Sequence, residues 1–320
     1  MDKNTNLVLS LDTSNYTTSL AVINRNKEVI IDKRKTLKVK EGERGLRQSY
    51  ALFQHMENLP DLIEQACSNI NTQEIRGIAV SNRPRPVEGS YMPVFNAGVG
   101  FGRTIAASLA VPLLLFSHQE GHLAAAAYNN PITINDHFLA FHLSGGTCEL
   151  LNVNSDSIKK IGGSKDISFG QVLDRLGVAM GFAFPSGMKM DELAINQINQ
   201  NKKKGILKPI PLNGLDINLS GFETQAERVL ETDKAKRDEL IHCIFSEITS
   251  CLIKWTEKAV NITGCNKVLF SGGVAASEYL RKKINYYFNN RDITIGFGQA
   301  SLSSDNAVGI GLLGVKNLWQ

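Results

Sequence analysis

His118 and His122 stand one helical turn apart in the run His118-Gln119-Glu120-Gly121-His122. That spacing puts both imidazoles on one helix face, where they can reach a single divalent ion. It also arises by coincidence on helix surfaces, and two ligands do not make a site. A third has to come from elsewhere in the chain. Asp305, in Ser303-Ser304-Asp305-Asn306-Ala307, is a candidate; its alternative role is to cap the helix expected to follow. The second position of the histidine motif is Gln119 and not glutamate, so the base of a zinc peptidase is not implied.

Three small-residue turns each follow an apolar run: Asp12-Thr13-Ser14-Asn15, Ser144-Gly145-Gly146-Thr147 and Ser271-Gly272-Gly273-Val274. Glycine lets the backbone approach a ligand, and bare N–H groups with Ser/Thr hydroxyls can cradle phosphate oxygens. One such turn is an ordinary strand end. Three of them in one chain point to a nucleotide cleft, with Asp12, Thr13 and Ser14 as candidates for a phosphate loop. Asp174, on a helix expected over 168–180, either makes a solvated pair with Arg175 or Lys165 or accepts from ligand hydroxyls.

The elements that must position these groups follow from periodicity. Apolar alternation predicts strands at 7–12, 19–23, 29–31, 78–80, 113–116, 138–143, 148–153, 268–270 and 293–297. Helices are expected at 46–70, 98–110, 119–128, 168–180, 234–260, 275–287 and 305–313, and the stretch 199–216, rich in Lys, Asn, Pro and Gly, reads as a loop. LVLSLDTSNYTTSLAVIN near the start is matched by FLAFHLSGGTCELLNVN about 130 residues on; each is a strand, a small-residue turn and a second strand. This self-similarity predicts a duplicated α/β chain with units at 1–134 and 135–320, the last helix packing back on the first.

Composition excludes several classes. With 42% apolar and 21% charged residues, the 320-residue chain is neither disordered nor fibrous. It has no apolar run long enough to span a membrane, and its five scattered cysteines without a CxxC fit a cytoplasmic setting. The formal charge of +4 is unevenly spread. Residues 33–47 carry seven bases (Lys33, Arg34, Lys35, Lys38, Lys40, Arg44, Arg47) against Glu41 and Glu43. Such a run is either a solvated strand end or a patch that attracts phosphates.

Taken in order, HQEGH at 118–122, LSGGTCEL at 143–150, Asp174 with Phe184-Pro185-Ser186-Gly187, SGGVAASEYLR at 271–281 and SSDNA at 303–307 resemble the glycoprotease-like, or TsaD-like, family of tRNA threonylcarbamoyl transferases. The resemblance implies the duplicated two-lobe actin-like ATPase fold, shared with sugar kinases and heat-shock ATPases, around a central nucleotide cleft. It implies one divalent metal, iron or zinc, held by His118, His122 and Asp305. It also implies ATP, AMP or an acyl-adenylate in the cleft, contacted by Leu143, Ser144, Gly145, Gly146, Thr147, Asp174 and Gly187, with Gly272 and Gly273 in the third turn; Ser277 stands where the family has an asparagine. The implied activity passes threonylcarbamoyl from its adenylate to the adenosine beside the anticodon of tRNA, an acyl-type transfer and not peptide hydrolysis. Implied partners are tRNA, met through the strip from Lys33 to Arg47, and helper proteins of the pathway or a second copy of the chain.

Several family features are replaced. Two adjacent acids of the first loop are Tyr16 and Thr17 here, and a turn histidine is Thr147. A glycine-rich stretch is now Asn82-Arg83-Pro84-Arg85-Pro86-Val87-Glu88-Gly89-Ser90, and a lysine has become Glu223. His55 matches a family histidine near the start of the first long helix. Kept metal ligands with lost acids fit a divergent paralogue with another acceptor. A non-catalytic partner subunit is the remaining alternative. No residue is assigned as catalytic acid or base.

Overall fold

Leu7 to Asp12 is an unbroken run of buried residues, and it forms β1 (Leu7–Asp12), the middle of a five-stranded sheet. The structure, a computed structural model, describes residues 5–14, 16–39, 46–154, 157–198, 206–232 and 237–320. Lys40 and Arg44 of the basic strip, the fourth residue of the first turn, part of the expected 199–216 loop and the start of the expected 234–260 helix lie outside them. β1 pairs antiparallel with β2 (Thr17–Asn24), which pairs antiparallel with β3 (Val29–Thr36). On its other side it runs parallel to β4 (Ile75–Arg83), followed by β5 (Leu113–Ser117), giving the order β3-β2-β1-β4-β5. The helices of this half are α1 (Gln48–Cys67), α2 (Phe95–Leu109) and α3 (His118–Ala127). Val80 of β4 packs under Gly98 and Gly102 of α2, so that helix covers one face of the sheet.

The pattern repeats in the second half. β6 (Phe138–Leu143) pairs antiparallel with β7 (Cys148–Val153), and β7 with β8 (Ile158–Ser164). A hairpin of β9 (Leu212–Asn213) and β10 (Asp216–Ile217) extends the edge beside β8. β11 (Lys267–Ser271) and β12 (Thr294–Phe297) lie parallel on the other side of β6. The order β12-β11-β6-β7-β8 is therefore the first sheet's order with the same strand directions. Around it stand α4 (Phe169–Ala179), α5 (Gly187–Asn196), α6 (Ser220–Thr232), α7 (Arg237–Thr263) and α8 (Glu278–Phe288). Phe141 stacks on Phe270, with ring centroids 4.9 Å apart, and meets Trp255 of α7 edge-on at 5.2 Å.

The chain divides into two compact units, one of residues 1–128 with 304–320 and one of 129–303. The returning piece is α9 (Val308–Trp319). Gly314 of α9 lies against Val8 and Ala79, on the opposite face from Val80, so α9 covers the side of the first sheet that α2 leaves. It crosses α3 where Gly309 meets the Gly121 backbone, a contact with no room for a Cβ.

Five strands and helices went unread in the sequence, among them β9 and β10, two-residue strands at the end of the stretch expected to be a loop. β8 reads IKKIGGS, too polar and too glycine-rich to signal a strand. Its Gly162 is required because Leu215 of the edge hairpin passes over it. The short α5 and α6 carry only two and four buried positions, too few for a clear periodic stripe. The helix expected over 275–287 begins at Glu278, because Ser277 caps it after a 3₁₀ turn at Val274–Ala276.

Candidate functional site

The first unit holds the candidate metal centre. Ser117 closes β5 and opens α3 with a reciprocal cap. Its hydroxyl accepts the Glu120 N–H at 3.2 Å, and the Glu120 carboxylate accepts the Ser117 N–H at 2.7 Å. The cap fixes the first helical residue as His118, and His122 follows one turn later on the same face. Their ring centroids are 4.3 Å apart. Asp305 is not the cap of the closing helix, because α9 begins at Val308 behind Ala307. Its Oδ1 instead lies 3.5 Å from His118 Nε2 and 3.4 Å from His122 Nε2. These separations are long for hydrogen bonds. They match the roughly 3.4 Å expected between two ligand atoms on one tetrahedral ion with bonds of about 2.0–2.2 Å. Within 4.8 Å of one another, two imidazoles and a carboxylate make a donor set that suits zinc or iron.

Burial would raise the Asp305 carboxyl, but the two imidazoles hold it well below the usual carboxylate range. For His118, burial pulls the pKa down; the carboxylates of Asp12 and Asp305 outweigh it and lift the ring to about 10 without an ion. His55, on α1, is fully buried and its Nδ1 lies 2.8 Å from the Thr18 hydroxyl, which also accepts from Asn58 at 3.1 Å. Burial lowers His55 to about 4, against the opposing pull of the Ser14 backbone, Asp12 and Asp305.

The three phosphate-loop candidates turn inward. Asp12 touches His118. The Thr13 hydroxyl donates to the Val94 carbonyl at 3.2 Å and accepts the Gly98 N–H at 3.1 Å, tying the loop to α2. The Ser14 N–H is taken by Asp12 at 2.8 Å.

The second unit contains a cavity of about 500 Å³, within the range of small-ligand sites. Gly145, Asp174, Gly187, Gly273 and Ser277 line it. Leu143, Ser144, Gly146, Thr147 and Gly272 are not among its lining residues. Leu143 is core, Ser144 and Thr147 close their own turn by two hydrogen bonds, and Gly272, at φ +91°, lies over the Leu143 carbonyl. At Gly145, Gly187 and Gly273 a Cβ would meet nothing, so packing does not demand glycine there. Bare backbone at a cavity wall is what close approach by a ligand requires. Asp174 Oδ1 accepts the Ser186 and Gly187 N–H groups at 2.8 and 3.3 Å, capping α5. The Ser277 hydroxyl donates to Asp191 and accepts the Leu280 N–H. Asp191 and Met188, which sequence reasoning missed, also line the cavity because α5 had gone unread.

Nucleotide-bound HypF superimposes with a TM-score of 0.63 over 100% of this chain at 12% identity; the chain spans 48% of that protein's length. The (R)-2-hydroxyglutaryl-CoA dehydratase component A of Acidaminococcus fermentans gives 0.52 over 97% of this chain and 98% of its own, at 15% identity. With the repeated strand order, these place the chain in the actin-like ATPase and sugar-kinase fold class. Two proteins named tRNA N6-adenosine threonylcarbamoyltransferase are similar throughout. That of Neorickettsia sennetsu is 26% identical over 98% of this chain and 94% of its own, and that of Thermotoga neapolitana 28% over 97% and 93%. The profile of the family TsaD, tRNA N6-adenosine threonylcarbamoyltransferase, matches residues 29–312, and the chain belongs to that family.

Proposed function

We propose that the chain transfers threonylcarbamoyl from threonylcarbamoyl-adenylate to the exocyclic amine of the adenosine beside the anticodon of tRNA. The observation that carries this reading is the triad of His118, His122 and Asp305, spaced for one ion in a chain of this family. Zinc or iron held there would supply Lewis-acid polarisation of carbamoyl and phosphoryl oxygens. In the second unit, bare backbone at Gly145, Gly187 and Gly273 and the Asp174 carboxylate would seat the adenosine part of the donor. The amine nitrogen forms the new bond to the carbamoyl carbon, the bond to the phosphate oxygen breaks, AMP departs and one amine proton is lost. Lys33, Lys35 and Lys38, exposed on β3 and just beyond it, would meet tRNA phosphates.

A second reading keeps metal and nucleotide but changes the acceptor. It is favoured by Tyr16 and Thr17 in place of the family's acids and by Glu223, which pairs with Arg175 at 3.4 Å beside Asp174. The deciding experiment incubates purified protein with zinc or iron, threonylcarbamoyl-adenylate and tRNA, then measures modified adenosine. The expected result is modified adenosine with wild type and none with His122→Ala or Asp305→Ala, both depleted of metal by elemental analysis. Metal and nucleotide bound by a wild type that modifies no tRNA would favour the second reading; metal content unchanged in both variants would remove the triad.

A further inference from the structure

Beside the triad lies a carboxylate that ligates nothing in the donor set. Asp12, the last residue of β1, is 1% exposed, and its two oxygens have separate partners. Oδ1 accepts the Ser14 N–H at 2.8 Å, and Oδ2 lies 2.6 Å from His118 Nδ1. The loop around it is pinned twice more, by the Ser19 hydroxyl donating to the Asp12 carbonyl at 3.1 Å and by the Thr13 hydroxyl between Val94 and Gly98. An ionised carboxylate only accepts, so the short contact requires the hydrogen on Nδ1. Uptake of an ion displaces the other ring proton, and the Nε2 lone pair freed in this way lies on the side facing Asp305.

We propose that Asp12 is the positioning residue of the metal centre: it selects the tautomer of His118 that binds metal through Nε2 and fixes the ring. This rests on the triad holding an ion, as proposed above. It also gives the end of β1 a role other than phosphate binding. Asparagine at this position cannot do both jobs. If its oxygen accepts from Ser14, its amide donates toward His118 Nδ1 and drives the proton to Nε2; if it turns over, the Ser14 N–H faces another donor.

The test measures cobalt(II) or zinc affinity by chelator competition, together with the visible cobalt spectrum, for wild type, Asp12→Asn, Asp12→Glu and His122→Ala. Circular dichroism confirms that each is folded. Asp12→Asn is expected to bind about 10–100-fold more weakly and to shift the cobalt band. Asp12→Glu, which restores an acceptor, is expected to stand closer to wild type on both readouts. Wild-type affinity and spectrum in Asp12→Asn, with the ion lost from His122→Ala, would overturn the proposal and leave the triad intact. Retention of the ion by His122→Ala would overturn the triad, and this proposal with it.

Discussion

His55 and His118 feel the same two carboxylates, Asp12 and Asp305, yet they titrate in opposite directions. His55 is sealed in α1, where burial wins and the ring stays neutral down to about 4. His118 is burdened by burial too, but with a carboxylate against its Nδ1 it stays charged up to about 10 without an ion. The signs matter for stability. The unfolded His55 takes a proton near 6.5 and the folded one does not, so its contribution is whole above about 6.5 and lost as pH falls towards 4. His118 contributes fully below about 6.5 and loses that as pH rises towards 10. The two windows do not overlap. Urea unfolding of metal-free protein between pH 7 and 5, above the range in which unfolded carboxylates such as Asp305 take up protons, therefore separates His55 from His118. We expect the wild type to lose stability across that range and His55→Gln to be flatter, though weaker at pH 7 by about 1–3 kcal/mol. A parallel pH dependence in the two proteins would mean that His55 is not held neutral. That His118 and His122 share one helix face was legible from their spacing, while their reading as metal ligands came from the family resemblance. The bond from Asp12 was not legible, because 106 residues separate the partners and nothing local in Asp12-Thr13-Ser14 points to it.

Among the elements, α9 bears most directly on the centre, since Asp305 lies three residues before its first turn. Its position depends on glycine. A Cβ on Gly309 would collide with the Gly121 carbonyl and the Ala125 N–H of α3, backbone atoms that cannot step aside. Gly309→Ala is expected to push α9 off α3 at a cost of about 1–3 kcal/mol or more and to weaken metal binding as Asp305 moves. Gly221→Ala on α6, with nothing near its would-be Cβ, is the control and should leave metal binding unchanged. Thermal unfolding and a metal titration check both variants. A Gly309→Ala protein that binds metal like wild type would show that the crossing does not hold Asp305. The residues alone left Asp305 open between cap and ligand, because both roles ask for a carboxylate ahead of a helix, and it was the family resemblance that named it a ligand. The start of α9 at Val308 removes the capping role. The apolar runs of β1 and β6 were legible because both faces are covered, whereas β8 was hidden by its glycines and lysines.

At the scale of the whole molecule, duplication was readable from two similar openings, and the matching strand orders give it structural form. The basic strip reads differently in three dimensions. Arg34 pairs with Asp32 at 2.6 Å and Lys35 reaches Asp61 at 3.7 Å, acids that lie outside the sequence window in which the charge was counted. The outer strand β3 nonetheless exposes Lys33 and Lys35, and Lys38 is exposed just past its end. Replacing these three by alanine should weaken tRNA binding uniformly across sequences. It should also lower the slope of log affinity against log salt by about 1 for each phosphate contact removed. Filter binding at several salt concentrations measures this; an unchanged slope would make the strip a solvated edge. No helix among the described residues is long and apolar enough to cross a membrane.

The first unit is also discontinuous in time. Residues 1–128 leave the ribosome well before 304–320, with the whole second unit synthesised in between. At about 5–20 residues per second that interval is on the order of ten to thirty seconds. During it, His118 and His122 have no Asp305, and the face of the first sheet destined for α9 lacks its cover. The three donors come together only after residue 305 has emerged, and a chain cut short before it would carry the two histidines without a complete centre.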